Sequence, residues 1–303
     1  MKNIFTLTLA AITLTMLFAI AELKAQDSQD SKIGLTVGID YVSNYLYRGE
    51  YFYSGILKTG MFSPYATYHI FNTGLSVSIR GEVSDMWIWN QNDESLYQDI
   101  YKMLHSIGYN INYMYELKKL ITFNLGGWYY SYQTLEFEGN INLSYFDIYF
   151  SAKIDALPFA PRLIVTYSYF MDEDYARGAI NAWGEGPGKN GDLYVQFGFG
   201  HSFEIFRKTY FDIEAIAGFY NKNSSGFQSM LAEDGLTATN SADISDIDLS
   251  AGFTTTAGIL TFSTSFHYVI VPGTQYKHTI TQSHKYETDI HRFYTKFGVS
   301  CSI

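Results

Sequence analysis

The feature that most constrains this chain is an alternation of apolar residues with small, polar or charged ones, repeated along most of its length. Successive side chains of a β-strand point to opposite faces, so a period of two marks a strand with one apolar and one polar face. Leu75, Val77, Ile79 and Val83 alternate with Ser76, Ser78, Arg80 and Glu82. Ile107, Tyr109, Ile111 and Tyr113 alternate with Ser106, Gly108, Asn110 and Asn112. Phe293, Phe297, Val299 and Cys301 alternate with Tyr294, Lys296, Gly298 and Ser300. About twelve such segments occur, at 33–47, 61–71, 74–86, 104–116, 120–132, 143–154, 162–170, 191–205, 208–220, 246–256, 259–270 and 290–303. Each is close to the roughly 9–11 residues that a tilted membrane strand requires. No segment sustains helical spacing.

The links between segments sort into two kinds. After every second segment the link is short: Asn72-Thr73, Lys118-Lys119, the stretch around Pro158 and Pro161, Arg207, and Gly258. The alternate links are long and polar, the longest being 87–103, 171–190, 221–245 and 271–288. Short turns at one end and long loops at the other are the asymmetry of an outer-membrane barrel. The expected fold is therefore all-β, an antiparallel up-and-down transmembrane β-barrel of about twelve strands.

Composition agrees. Charged residues make up 17% and aromatic residues 18%, with 27 Tyr and 23 Phe, which suits an outer surface in lipid with aromatic rims. The outer ends of alternate segments carry Trp128, Tyr129, Tyr130 and Tyr132, then Tyr167, Tyr169 and Phe170, then Phe219 and Tyr220, then Phe266 and Tyr268; these are expected to form an outer girdle. The net charge of −10 disfavours nucleic acid as a partner. A single cysteine, Cys301, excludes an internal disulfide and a multi-cysteine metal site.

The N-terminus has the form of a secretory signal. Lys2 precedes an apolar run from Ile4 to Ala21, and cleavage is expected after Ala21 or Ala25. The expected organisation is a signal peptide at 1–25, a short polar linker at 26–32 and the barrel at 33–303, in the outer membrane of a Gram-negative-type envelope.

The segment Val42-Ser43-Asn44-Tyr45-Leu46-Tyr47-Arg48-Gly49 resembles the opening of the TorF-type porin family of outer-membrane proteins. The following strands, ending Ser78-Ile79-Arg80-Gly81-Glu82-Val83-Ser84-Asp85, look like that family's second hairpin. The resemblance covers roughly the first sixty residues of the mature chain and implies a porin-like barrel without naming a solute. Many barrels end in Phe; here the last residue is Ile303, so the barrel-assembly machinery is expected to rely on Phe293, Phe297 and Val299.

Catalytic and ligand motifs are sparse. No glycine loop opens a helix, so nucleotide binding has no motif. A serine hydrolase needs a histidine beside its serine. His105-Ser106 and His201-Ser202 are adjacent in sequence and so face opposite ways on a strand. Ser265 and His267 share a face, a spacing common by chance. His278, His284 and His291 are too widely spaced for a usual zinc site. Asp172-Glu173-Asp174 lacks calcium-loop spacing. No cofactor, metal or catalytic residue is expected.

The polar face carries the functional expectation. Asp40, Arg80, Glu82, Glu116, Asp147, Lys153, Asp192, Glu204, Asp212, Glu214, Asp248, Arg292 and Lys296 all fall on it. A charge facing lipid costs about 2–4 kcal/mol near the midplane, so this face is expected to look inward, onto a hydrated lumen or a charge network that plugs one. The expected role is passive diffusion of small solutes, modestly favouring cations because carboxylates predominate. The alternatives are a non-conducting surface barrel whose long loops bind a partner, and a lipid-modifying enzyme. Outer-membrane lipid, the assembly machinery and small solutes are the expected partners, and an oligomer is left open.

Overall fold

A computed structural model describes residues 34–43, 46–47, 50–51, 60–71, 73–84, 106–132, 144–171, 191–221, 242–270 and 291–303. The expected signal peptide and linker, and most of the long links, lie outside the described residues.

Twelve strands form one closed antiparallel barrel: β1 (Leu35–Val42), β4 (Met61–His69), β5 (Leu75–Ser84), β6 (Ser106–Leu117), β7 (Ile121–Tyr132), β8 (Tyr145–Ile154), β9 (Arg162–Phe170), β10 (Asp192–Phe206), β11 (Thr209–Asn221), β12 (Ala242–Ala257), β13 (Leu260–Ile270) and β14 (His291–Ser302). A separate two-stranded hairpin, β2 (Leu46–Tyr47) with β3 (Glu50–Tyr51), falls between β1 and β4. Each barrel strand pairs with the next barrel strand along the chain, and β14 closes on β1. Each of the twelve alternating segments holds one barrel strand; the first, expected over 33–47, is shorter, its barrel strand ending at Val42 and Leu46–Tyr47 pairing in the separate hairpin. No helix occurs among the described residues.

The short links are tight turns at one end of the barrel. In the turn from β6 to β7, Leu120 N–H donates to Leu117 O at 2.9 Å. Its central residues, Lys118 and Lys119, have φ of 49° and 56°. Two left-handed residues inside a four-residue turn match the twist of the flanking strands, though such turns prefer Asn and Gly. Pro64 is the fourth residue of β4. The ladder between β4 and β5 is interrupted at Ser63 and Pro64, where the ring has no N–H to donate. Gly81 lies against the ring, without a side chain to obstruct it.

Following the registers once around the barrel returns to β1 displaced by about 16 residues. With twelve strands spaced roughly 4.8 Å apart, that stagger implies a tilt of roughly 40° and a backbone radius of roughly 12–13 Å.

The outer face is apolar. Ile111 is 64% exposed and Phe293 67%, and Ile79, Ile148, Phe197, Phe253, Phe266 and Phe297 are also exposed. A soluble monomer rarely shows a continuous apolar band of this kind; lipid accepts it. The expected aromatic girdle is only partly outward. Tyr129, set between Tyr109 and Phe146, faces out with Tyr167, Tyr169, Phe219 and Phe266. Trp128 and Tyr130 stack on one another, and Tyr130 on the buried Tyr145, while buried Tyr220 bonds to Asp192. Consecutive strand residues cannot share a face, so Trp128-Tyr129-Tyr130 had to divide between lipid and interior.

Candidate functional site

Side chains two strands apart lie roughly 10 Å apart at the backbone. On the convex wall of a barrel they diverge; on the concave wall they converge and can touch. Such contacts therefore identify the inner face. Asp40 on β1 pairs with Arg80 on β5 at 3.5 Å, across β4. Arg162 on β9 pairs with Glu214 on β11 at 2.7 Å, across β10. Tyr149 on β8 donates to Asn112 Oδ1 on β6 at 2.9 Å, and Tyr194 on β10 donates to Asp246 on β12 at 3.0 Å.

Three of these crossings pass over a glycine on the strand between; β4, under Asp40 and Arg80, has none. A Cβ on Gly126 of β7 would stand 2.4 Å from Tyr149 Oη, and one on Gly218 of β11 would stand 2.5 Å from Tyr194 Oη. Gly38 of β1 lies under Tyr65 of β4 in the same way, at 2.7 Å, and Tyr65 is hydrogen-bonded to Ser300 of β14. Arg162 passes over Gly198 on its way to Glu214, and a Cβ on Gly198 would stand 3.1 Å from Arg162 Nε. The glycines of the polar face thus let long side chains cross a strand and tie its two neighbours together.

The structure places the charged residues singled out from the sequence as follows. Asp40 and Arg80 pair as above, and Lys296 is within electrostatic reach of Asp40, Arg80, Glu214 and Asp248. Glu82 is buried and accepts from Ser106 Oγ at 2.6 Å. Asp147 accepts from Ser168. Asp212 accepts from Ser202 at 2.5 Å and from Thr254 at 2.8 Å. Asp192 is fully buried and accepts from Tyr220 Oη at 3.1 Å. Arg292 is buried on β14. Toward the short turns, Glu116 is exposed opposite Thr122. Lys153 pairs with Asp155 at 2.7 Å, and Glu204 accepts from Lys208 N–H at 3.3 Å. The Asp155 carboxyl, in the turn after β8, is held below the usual carboxylate range by bonds from Lys153 and Thr122.

Sequence reasoning passed over Asp246 and Arg162, each at the edge of an alternating segment, though both have the parity of the polar face. It also passed over Tyr149, Tyr194 and Asn112, whose roles depend on neighbours two strands away.

One cluster stands apart in its geometry. His267 on β13 is buried. Its Nδ1 lies 3.0 Å from Asp248 Oδ2, and its Nε2 lies 2.8 Å from Ser265 Oγ. Tyr294 donates to Asp248 Oδ2 at 2.9 Å and stacks on the imidazole with centroids 4.2 Å apart. By contrast His201 packs against Phe203 and Phe159 on the outer face while Ser202 points inward to Asp212. His291 begins β14, stacked on Tyr268. His105, His278, His284 and the Asp172–Asp174 cluster lie outside the described residues. No group of three or more potential metal ligands occurs among the described residues.

Several solved structures align with most of the chain at low identity. The NanC porin aligns with a TM-score of 0.47 at 10% identity, over 89% of this chain and 100% of its own. An outer-membrane channel from Pseudomonas putida F1 aligns with a TM-score of 0.46 at 8% identity, over 92% of this chain and 98% of its own. LpxR from Salmonella typhimurium aligns with a TM-score of 0.44 at 8% identity, over 88% and 100%. The likeness is one of barrel to barrel. No protein-family model matches the chain, and no curated protein matches it in sequence.

Proposed function

We propose that the chain is an outer-membrane channel through which small solutes diffuse, with a modest preference for cations. The observation that carries this reading is the exposure of inner-face ion pairs. Asp40 and Arg80 keep 37% and 30% of their side-chain surface open, and Arg162 and Glu214 keep 31% and 30%. A dry plug would bury such groups completely, at a large desolvation cost; partial exposure fits water along the lumen. The apolar outer band and the sorting of short turns from long links support the outer membrane as its place. The likeness of Val42–Gly49 to the opening of TorF-type porins points the same way.

The preference follows from charge. Among the described residues the inner face carries Asp40, Glu82, Glu116, Asp147, Asp192, Glu204, Asp212, Glu214, Asp246 and Asp248 against Arg80, Lys153, Arg162, Arg292 and Lys296. Carboxylates along a narrow path lower the energy of a passing cation and raise that of an anion. Pairing of Asp40 and Glu214 with arginines trims the excess, hence the modest size. Purified full-length protein in planar bilayers is the test. Discrete conductance steps that scale with bulk salt are expected. Folded, heat-modifiable protein that inserts without steps would refute the channel.

A further inference from the structure

We propose that Ser265, His267 and Asp248 form a nucleophile, base and orienting carboxylate, giving the barrel a hydrolytic site for small soluble esters on its inner face. The inference goes beyond solute passage and does not depend on it.

The proton positions follow from the partners. An ionised carboxylate can only accept, so the proton between His267 and Asp248 resides on Nδ1. In the neutral imidazole Nε2 is then bare and accepts the Ser265 hydroxyl, at 2.8 Å. That is the tautomer a general base needs, and the carboxylate fixes it. Asp248 is itself held by Tyr294, whose ring also lies flat on the imidazole, so the base has one orientation. Among the described residues Ser265 Oγ bonds only to His267, which leaves its lone pairs available for attack.

The surroundings suit acyl transfer. Gly252 is the register partner of Ser265 on β12. Even a single carbon there would stand 2.9 Å from Ser265 Cβ, so the hydroxyl is uncovered on that side. Lys296 is the partner on β14 and is exposed to the lumen. Its ammonium lies 5.7 Å from the Tyr294 ring, and its role in the proposed reaction is to offset the developing oxyanion. The triad faces the lumen, so an acyl chain anchored in the bilayer cannot reach it. The substrate class is therefore a water-soluble ester small enough to enter the barrel, and membrane lipid is excluded.

In the first step Ser265 Oγ bonds to the acyl carbon as its proton passes to His267 Nε2. The C–O bond to the alcohol breaks and the alcohol leaves with that proton. In the second step water attacks the acyl-serine, again giving its proton to Nε2. The Oγ–acyl bond breaks and the serine oxygen recovers a proton, leaving a carboxylic acid. The sum is ester plus water to acid plus alcohol, with no redox change.

The test uses full-length protein folded in detergent, with heat modifiability as the check on folding. Diisopropyl fluorophosphate should phosphorylate Ser265 with loss of fluoride, read by peptide mass spectrometry, and p-nitrophenyl acetate should turn over. S265A should abolish both. H267A should slow both by on the order of 10²–10⁴-fold, with partial recovery on adding imidazole. D248N should slow both, with D248E recovering part. Folded wild-type protein left unlabelled at Ser265 would overturn the proposal without any variant. So would labelling indifferent to H267A, or acetate release no faster than in S265A.

Discussion

Gly126 and Gly127 are adjacent on β7 and face opposite ways, so alanine at each is a matched pair of perturbations. At Gly126 a Cβ would meet Tyr149 Oη at 2.4 Å and the carbonyl oxygen of Ile111 at 2.7 Å. The tyrosine can swing aside only by releasing Asn112, bonded at 2.9 Å, and Asn110, bonded at 3.3 Å. Two such bonds contribute about 1–3 kcal/mol together. The Ile111 carbonyl belongs to the ladder and cannot swing, which adds overpacking strain of about 1–3 kcal/mol. Replacing glycine within a strand returns about 0.5–1 kcal/mol of backbone entropy. Gly126→Ala should therefore destabilise by about 3 kcal/mol. At Gly127 the Cβ meets only Asp147 O, at 3.5 Å, an ordinary contact on the lipid side. Gly127→Ala should be neutral or stabilising by up to about 1 kcal/mol. Reversible urea unfolding in lipid vesicles, followed by tryptophan fluorescence, gives both values. Adding Tyr149→Ala should recover part of the loss in Gly126→Ala, leaving the backbone contact. Equal effects at the two glycines, or no coupling to Tyr149, would refute the strand-crossing role of the inner glycines.

Asp212→Asn with Glu214→Gln should move the reversal potential toward zero in a salt gradient; the shift should be larger in dilute salt, where screening is weak. Lys118→Asn with Lys119→Gly relieves two left-handed lysines and should stabilise by about 1 kcal/mol in the same unfolding assay. Asp155 titrates lower in the folded protein than in the unfolded one, so its contribution is present above about pH 4 and fades as pH falls through the folded value. Because the pair is exposed the contribution is a few tenths of a kcal/mol. Asp155→Asn should therefore lower the urea midpoint slightly at pH 7 and lose that effect in acid.

The strands and their faces were legible because period two and turn chemistry are local. Leu75 to Val83 states its own inward and outward faces, and a two-residue link such as Gly258-Ile259 fixes a register. Relations across strands were not legible. His267 lies directly opposite Ser250 and reaches Asp248 on the diagonal, so the triad exists only once that register is set. Arg162 and Asp246 sit where alternation gives way to the links, and an edge residue has too few neighbours to declare its face. The aromatic runs misled because strand propensity places tyrosine on either wall.

Eleven of the twelve barrel seams join strands that follow one another among the barrel strands; the twelfth joins β14 to β1. There Thr36 and Ser302 meet across 266 positions, against a separation of four between Leu117 and Ile121. Loop-closure entropy makes that last encounter about 4 kcal/mol more costly than a tight hairpin. The sheet should accordingly assemble outward through its hairpins and zip shut last, with bare edges on β1 and β14 until it does. An open edge of this kind invites pairing with another chain, so the interval before closure is when the folding barrel is most in need of a chaperone's cover. Tyr65, laid over Gly38 to Ser300, is then a latch that engages only when the ring is complete.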